Sequence, residues 1–113
     1  MGGRKWLVLA LLIAAGPAWG QSDADYDNYT KPVVDSFNEC ARPKVRDLAK
    51  GDETPAAIAE AVIKTCHRDV DRMREVLLKP PFSHTEAEAD QAISQWLDQA
   101  RTDFTESVEK LRS

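Results

Sequence analysis

The 113 residues contain two cysteines, Cys40 and Cys66, and each stands thirteen positions from residue 53, in the break between two apolar-periodic runs. Before the break, Val34, Phe37, Ala41, Val45 and Leu48 recur at the spacings of 3 and 4 that place residues on one face of a helix. After it, Ile58, Val62, Cys66, Val70, Met73 and Leu77 do the same. In an antiparallel helical hairpin, positions equidistant from the turn share a height, here about 20 Å from it at about 1.5 Å per residue. The two thiols are therefore predicted to meet and form a disulfide, stapling the seam between the helices. On the chain-entropy description, closing a loop of this length contributes about 3.5 kcal/mol. That is a large share of the roughly 5 to 15 kcal/mol that holds a typical domain together.

Local signals place the ends of these helices. Thr30 is the expected N-cap of the first, with Pro32 in its first turn, and Lys50-Gly51 the expected stop. Pro43 lies inside it. Its ring removes one hydrogen bond, so a kink is expected, with Pro43 and Glu39 on the polar side where water reaches the freed carbonyl. The second helix opens with Thr54 as N-cap and Pro55 as the first helical residue, and is expected to run unbroken to Lys79-Pro80-Pro81. A third begins at Ser83-His84-Thr85-Glu86, which fits the capping box. Its apolar side is Ile93, Leu97, Ala100, Phe104, Val108 and Leu111, with Trp96 at the edge. No strand-like alternation or internal repeat competes with these assignments. The expectation is an all-α protein, a small three-helix bundle: a disulfide-stapled antiparallel hairpin plus a third amphipathic helix.

Ahead of the bundle, Met1 to Gly20 have the layout of a cleaved secretory signal peptide. Arg4 and Lys5 supply the basic start, Trp6 to Ala15 the apolar stretch, and Ala18-Trp19-Gly20 a small-x-small cleavage site after Pro17. The stretch falls short of the ~20 apolar residues that span a bilayer, so no stable membrane insertion is expected after cleavage. Gln21 is the expected first mature residue; a lipid anchor would require cysteine there. The predicted organisation is a signal peptide over 1–20, a flexible acidic leader over 21–30 and a single helical domain over 31–113. An exported product, periplasmic or secreted, agrees with an even number of cysteines. Loss of Arg4 and Lys5 takes the net charge from -4 to -6, which disfavours nucleic acid and anionic membranes as partners. Residues 42–79 are slightly basic and both flanking segments acidic, a distribution that suits packing between helices.

Few residues offer chemistry. Asp23, Asp25 and Asp27 have the spacing of the first EF-hand ligands, but Lys31 and Val34 occupy the later ligand positions, so a solvated segment is expected and no metal site. Cys40, Cys66, His67 and His84 lack the close-spaced pairs of a zinc site. His67 lies among Lys64, Arg68 and Asp71 on a polar face, and His84 falls in the turn before the third helix. Neither is set beside a nucleophile. The carboxylates Asp69 and Asp71, or Glu86, Glu88 and Asp90, read as solvated helix faces. No catalytic residue and no cofactor is expected, and Asn28-Tyr29-Thr30 would be a glycosylation acceptor only in a eukaryotic secretory pathway.

These observations lead to a small exported, non-enzymatic protein, a monomer or weak dimer, acting as a protein-binding or inhibitor-like module. Trp96 is the candidate partner contact, because it borders the apolar face. The alternative is an envelope-stress chaperone that exposes apolar surface in acid. In size, helicity and cysteine count the chain is similar to small periplasmic acid-stress chaperones, although it shares no motif with them. On that alternative the third helix, whose seven acidic residues face a slightly basic hairpin, would detach first at low pH.

Overall fold

The computed structural model describes residues 17–113, with side chains from Tyr26 onward; residues 1–16, most of the expected signal peptide, lie outside the described residues. The described residues form four helices: α1 (Pro17–Ala49), α2 (Pro55–Thr65), α3 (His67–Leu78) and α4 (Glu86–Arg112). The protein is an all-α bundle, and no described helix is long and apolar enough to cross a membrane.

Antiparallel pairing about residue 53 sets α1, from Tyr26 onward, against α2 and α3. Cys40 and Cys66 are joined, with Cα atoms 6.0 Å apart. Further from the turn, the Ser36 hydroxyl donates to Asp69 Oδ1 at 2.8 Å, and Tyr26 and Tyr29 meet the Phe82 ring edge-on at 5.4 and 5.8 Å between centroids. Partners stay nearly equidistant from residue 53 throughout, as a hairpin requires. α4 then returns parallel to α1. Phe37 contacts Trp96 and Phe104, while at the far end Arg112 Nε donates to the Ala49 carbonyl at 2.9 Å.

Three expectations need correction. α1 begins before Thr30, and its helical backbone takes in residues 21–30, which the sequence leaves as a leader. Tertiary contact explains the described part of that extension: Tyr26 and Tyr29 pack on Phe82, and Thr30 is buried with its hydroxyl bonded to the Tyr26 carbonyl at 2.6 Å. Pro32 and Pro43 therefore both lie within the helix, which continues through them with each ring on an exposed face.

The second correction is that the long second helix is two helices. Cys66 leaves helical geometry (φ -95°, ψ 24°) between α2 and α3. The physical reason lies in packing, since α2 lies chiefly against α4 whereas α3 lies chiefly against α1, and the disulfide anchors the joint between them.

The third is that α4 starts two residues later than expected. The capping box is Thr85 with Glu88: Thr85 Oγ1 accepts the Glu88 amide at 3.1 Å, and Glu88 Oε1 accepts the Thr85 amide at 2.9 Å. Ser83 cannot serve, because it sits in the left-handed region (φ 50°) of the turn that closes α3, whereas an N-cap needs extended backbone.

The core has two parts. Phe37, Ala41, Val45, Ile58, Val62, Cys66, Phe104 and Val108 form the larger, at the α1–α2–α4 contact; Val33, Met73, Leu77 and Ala89 form the smaller, at α1–α3–α4. Trp96 packs against both. Most residues of the predicted faces are buried. Val33 takes the buried place expected of Val34, and Leu111 is 53% exposed.

Candidate functional site: the groove between α1 and α4

Two parallel helices packed as α1 and α4 are leave a channel along their seam, and here its volume is about 680 Å³. Every lining residue comes from one of these two helices; α2 and α3 cover the other flank. The floor is built by the core-edge positions of each amphipathic face. Val34, Phe37 and Val45 supply it from α1, and Trp96, Ala100 and Phe104 from α4. Phe37, almost wholly buried, packs at 4.9 Å from the Trp96 ring and 5.9 Å from the Phe104 ring between centroids.

Charge is unevenly placed along this channel. The end at Val34, Phe37, Asn38, Trp96 and Gln99 carries no charged side chain. Toward the C-terminal ends of both helices stand Arg42 and Arg46 on one wall and Lys110 on the other, beside the exposed Leu111. One acid, Asp103, lies between the ends and accepts a hydrogen bond from Gln99 Nε2 at 3.0 Å. The described ion pairs involve none of Arg42, Arg46 and Lys110. The groove thus carries a local excess of two positive charges in a chain whose net charge is -4.

Elsewhere ion pairs tie α4 to its neighbours. Arg101 from α4 reaches Glu60 of α2 at 2.5 Å and its own neighbour Asp98 at 2.7 Å, while Arg74 of α3 pairs with Asp90 of α4. Bonding to Glu60 raises the pKa of the Arg101 guanidinium above its ordinary value. At the start of α4, the Thr85 amide lowers the Glu88 carboxyl below the usual range. Burial against Phe82, reinforced by Asp27, pushes the Tyr26 phenol upward.

The residues with possible chemistry are not gathered into one site. Cys40 and Cys66 are consumed by their disulfide. His67 is exposed with Nδ1 3.3 Å from Asp71, and His84 stacks on Phe82 with centroids 6.0 Å apart. Among described residues no group of three or more metal-ligating side chains converges. Asp27 and Asn28 lie exposed on α1. Trp96, in contrast, stands in the wall of the groove, half-buried, where both parts of the core meet.

The cationic end of the groove escapes sequence reasoning because Lys110 comes from a helix distant in the chain. Arg42 and Arg46 carry a local signal. They are one helical turn apart and flank the apolar stripe of α1, a position that a moment along a single helix does not distinguish from ordinary surface. Comparison with family profiles, curated proteins and solved structures finds no match for this chain.

Proposed function

We propose that this protein is an exported, non-enzymatic binding module that engages a protein partner through the α1–α4 groove. The observation that carries the reading is the groove itself: a packed aromatic floor with Trp96 and Phe37 at one end and three cations without described ion-pair partners at the other. Aromatic and arginine side chains around a desolvated pocket supply most of the binding energy at protein interfaces. The layout of residues 1–20 supports export, and the mature protein is expected to begin at Gln21, a point that intact mass of the native product decides.

The test uses an anionic, apolar fluorescent dye of the anilinonaphthalene sulfonate type on folded protein at pH 7. One dye should bind per chain, and Ser107→Trp combined with Asn38→Trp, which fill the groove from its exposed walls, should abolish that binding. Absence of dye binding at pH 7, or binding unaffected by the double variant, overturns the reading.

One observation favours a second reading, an acid-responsive chaperone. Exposed carboxylates tie α4 to the rest of the bundle through Arg101–Glu60 and Arg74–Asp90, and acid removes such attractions. On that reading dye binding is weak at pH 7 and rises many-fold at pH 3, with loss of near-ultraviolet circular dichroism.

A further inference from the structure

We infer that the occupant of the α1–α4 groove is an acidic amphipathic helix of the partner, lying along the seam with its carboxylates over Arg42, Arg46 and Lys110. The inference rests on the groove being the binding surface and adds what binds there. Three features of the groove lead to it.

First, the shape suits a helix. From Val34 to Arg46 the α1 wall rises through twelve steps, about 18 Å at 1.5 Å per residue, and the α4 wall from Trp96 to Leu111 is longer. A helix of three to four turns matches this length. The channel is open to solvent along one side, so a small ligand would leave much of its surface in water instead of burying the ~70 to 90% usual for small-molecule sites. An amphipathic helix buries only the face it lays down and keeps its polar face outside. It would add a fourth rod to a bundle that has three layers of rod around the seam, with α2 and α3 together forming one of them.

Second, the charge specifies the partner's sign. Arg42, Arg46 and Lys110 outnumber Asp103 around the cationic half. Glutamates or aspartates on the flanks of an incoming helix would meet guanidinium and ammonium groups that no described ion pair engages, and basic residues there would be repelled. The uncharged half, around Val34, Phe37 and Trp96, receives the apolar residues of the same helix.

Third, the same charge argues against a second copy of this chain. A two-fold dimer through the groove would bring together two surfaces that each carry Arg42, Arg46 and Lys110 against the single acid Asp103, so that like charge opposes the pairing. The partner helix comes from a different protein.

The test measures the full-length mature protein against a fluorescein-labelled peptide of about 15 residues, with leucines at helical i, i+3, i+4 and i+7 spacing and glutamates on both flanks. A twin with every glutamate replaced by lysine is the control. The glutamate peptide is expected to bind at least about tenfold more tightly than its twin, and to weaken as salt is raised. Arg42→Glu with Arg46→Glu should erase the preference. Lys110→Glu on the opposite wall should do so in part; all three positions are exposed, and circular dichroism verifies that each variant folds.

Equal binding of the two peptides, or a preference that survives these substitutions, overturns the inference. So does laurate displacing the dye more tightly than the glutamate peptide does, which would assign the groove to a free anionic amphiphile, or sedimentation showing a dimer that blocks the dye. If the dye occupies the groove and the peptides are not distinguished, the helix inference fails and the groove reading stands. If the dye also fails to bind, both fall.

Discussion

Asp69 is the one charged side chain buried among the described residues, and its position shows how a polar group can organise an apolar seam. It accepts the Ser36 hydroxyl at 2.8 Å and Arg72 Nη1 at 3.2 Å, in the first turn of α3 where a negative charge is also favoured by the helix dipole. Asp69→Ala removes both bonds and leaves the hydroxyl without its partner, so a loss of about 1.5 to 3 kcal/mol is expected. Asp69→Asn keeps an acceptor for Ser36 and should cost less. Urea unfolding of the two variants measures the difference, and equal losses would show that packing volume, and not hydrogen bonding, matters at this site. The disulfide acts at the same scale but through the unfolded chain. Reduction, or serine at both positions, should lower stability by about 3.5 kcal/mol, with helical circular dichroism retained under conditions where the chain still folds.

At the scale of elements, α4 has a specific device at both ends. Thr85→Ala should cost about 1 kcal/mol, whereas Ser83→Gly should stabilise by up to about 1 kcal/mol, because the turn demands a left-handed backbone at position 83. The opposite pattern would return the cap to Ser83. Glu88 makes the cap pH-dependent. Its carboxyl is held below the ordinary glutamate value of 4.5, chiefly by the Thr85 amide, so its contribution is complete above that value and is lost as pH falls through the lower folded one. A carboxyl titration followed by NMR should therefore find the Glu88 midpoint below those of its exposed neighbours. At the other end, Arg112 donates to the carbonyls of Ala49 and Gly51 at 2.9 and 2.8 Å, closing the C-terminus of α1 with the C-terminus of α4. Arg112→Ala should loosen both helix ends together, seen as faster amide exchange near Ala49 as well as near residue 112.

For the whole molecule, the arrangement of charge separates what holds the bundle from what the bundle offers. Arg74–Asp90 and Arg101–Glu60 tie α4 to its neighbours, while Arg42, Arg46 and Lys110 stand around the groove. Arg101→Gln should therefore destabilise the fold mildly, by about 0.2 to 1 kcal/mol for pairs this exposed, without touching dye binding at pH 7. Arg46→Gln should weaken binding of the anionic dye and leave the unfolding midpoint within error. If the two substitutions exchanged effects, the groove would be part of the structural charge network and not a binding surface.

The sequence by itself determined the helical class, the disulfide, the N-cap and leading proline of α2, and most of the buried faces, because each depends on spacing within a few turns of one helix or on symmetry about one turn. Cys40 and Cys66 were legible for that reason, and so was the place of Trp96 at the border of the core. Tertiary structure decided the rest. The capping box expected at Ser83 is formed instead by Thr85 and Glu88, because the turn after α3 puts a left-handed residue at 83. The break at Cys66 has no proline or glycine to announce it, and arises because α2 and α3 lie against different helices. The groove is further still from local signals, since its charge comes from residues more than sixty positions apart, brought together by the parallel packing of α1 and α4.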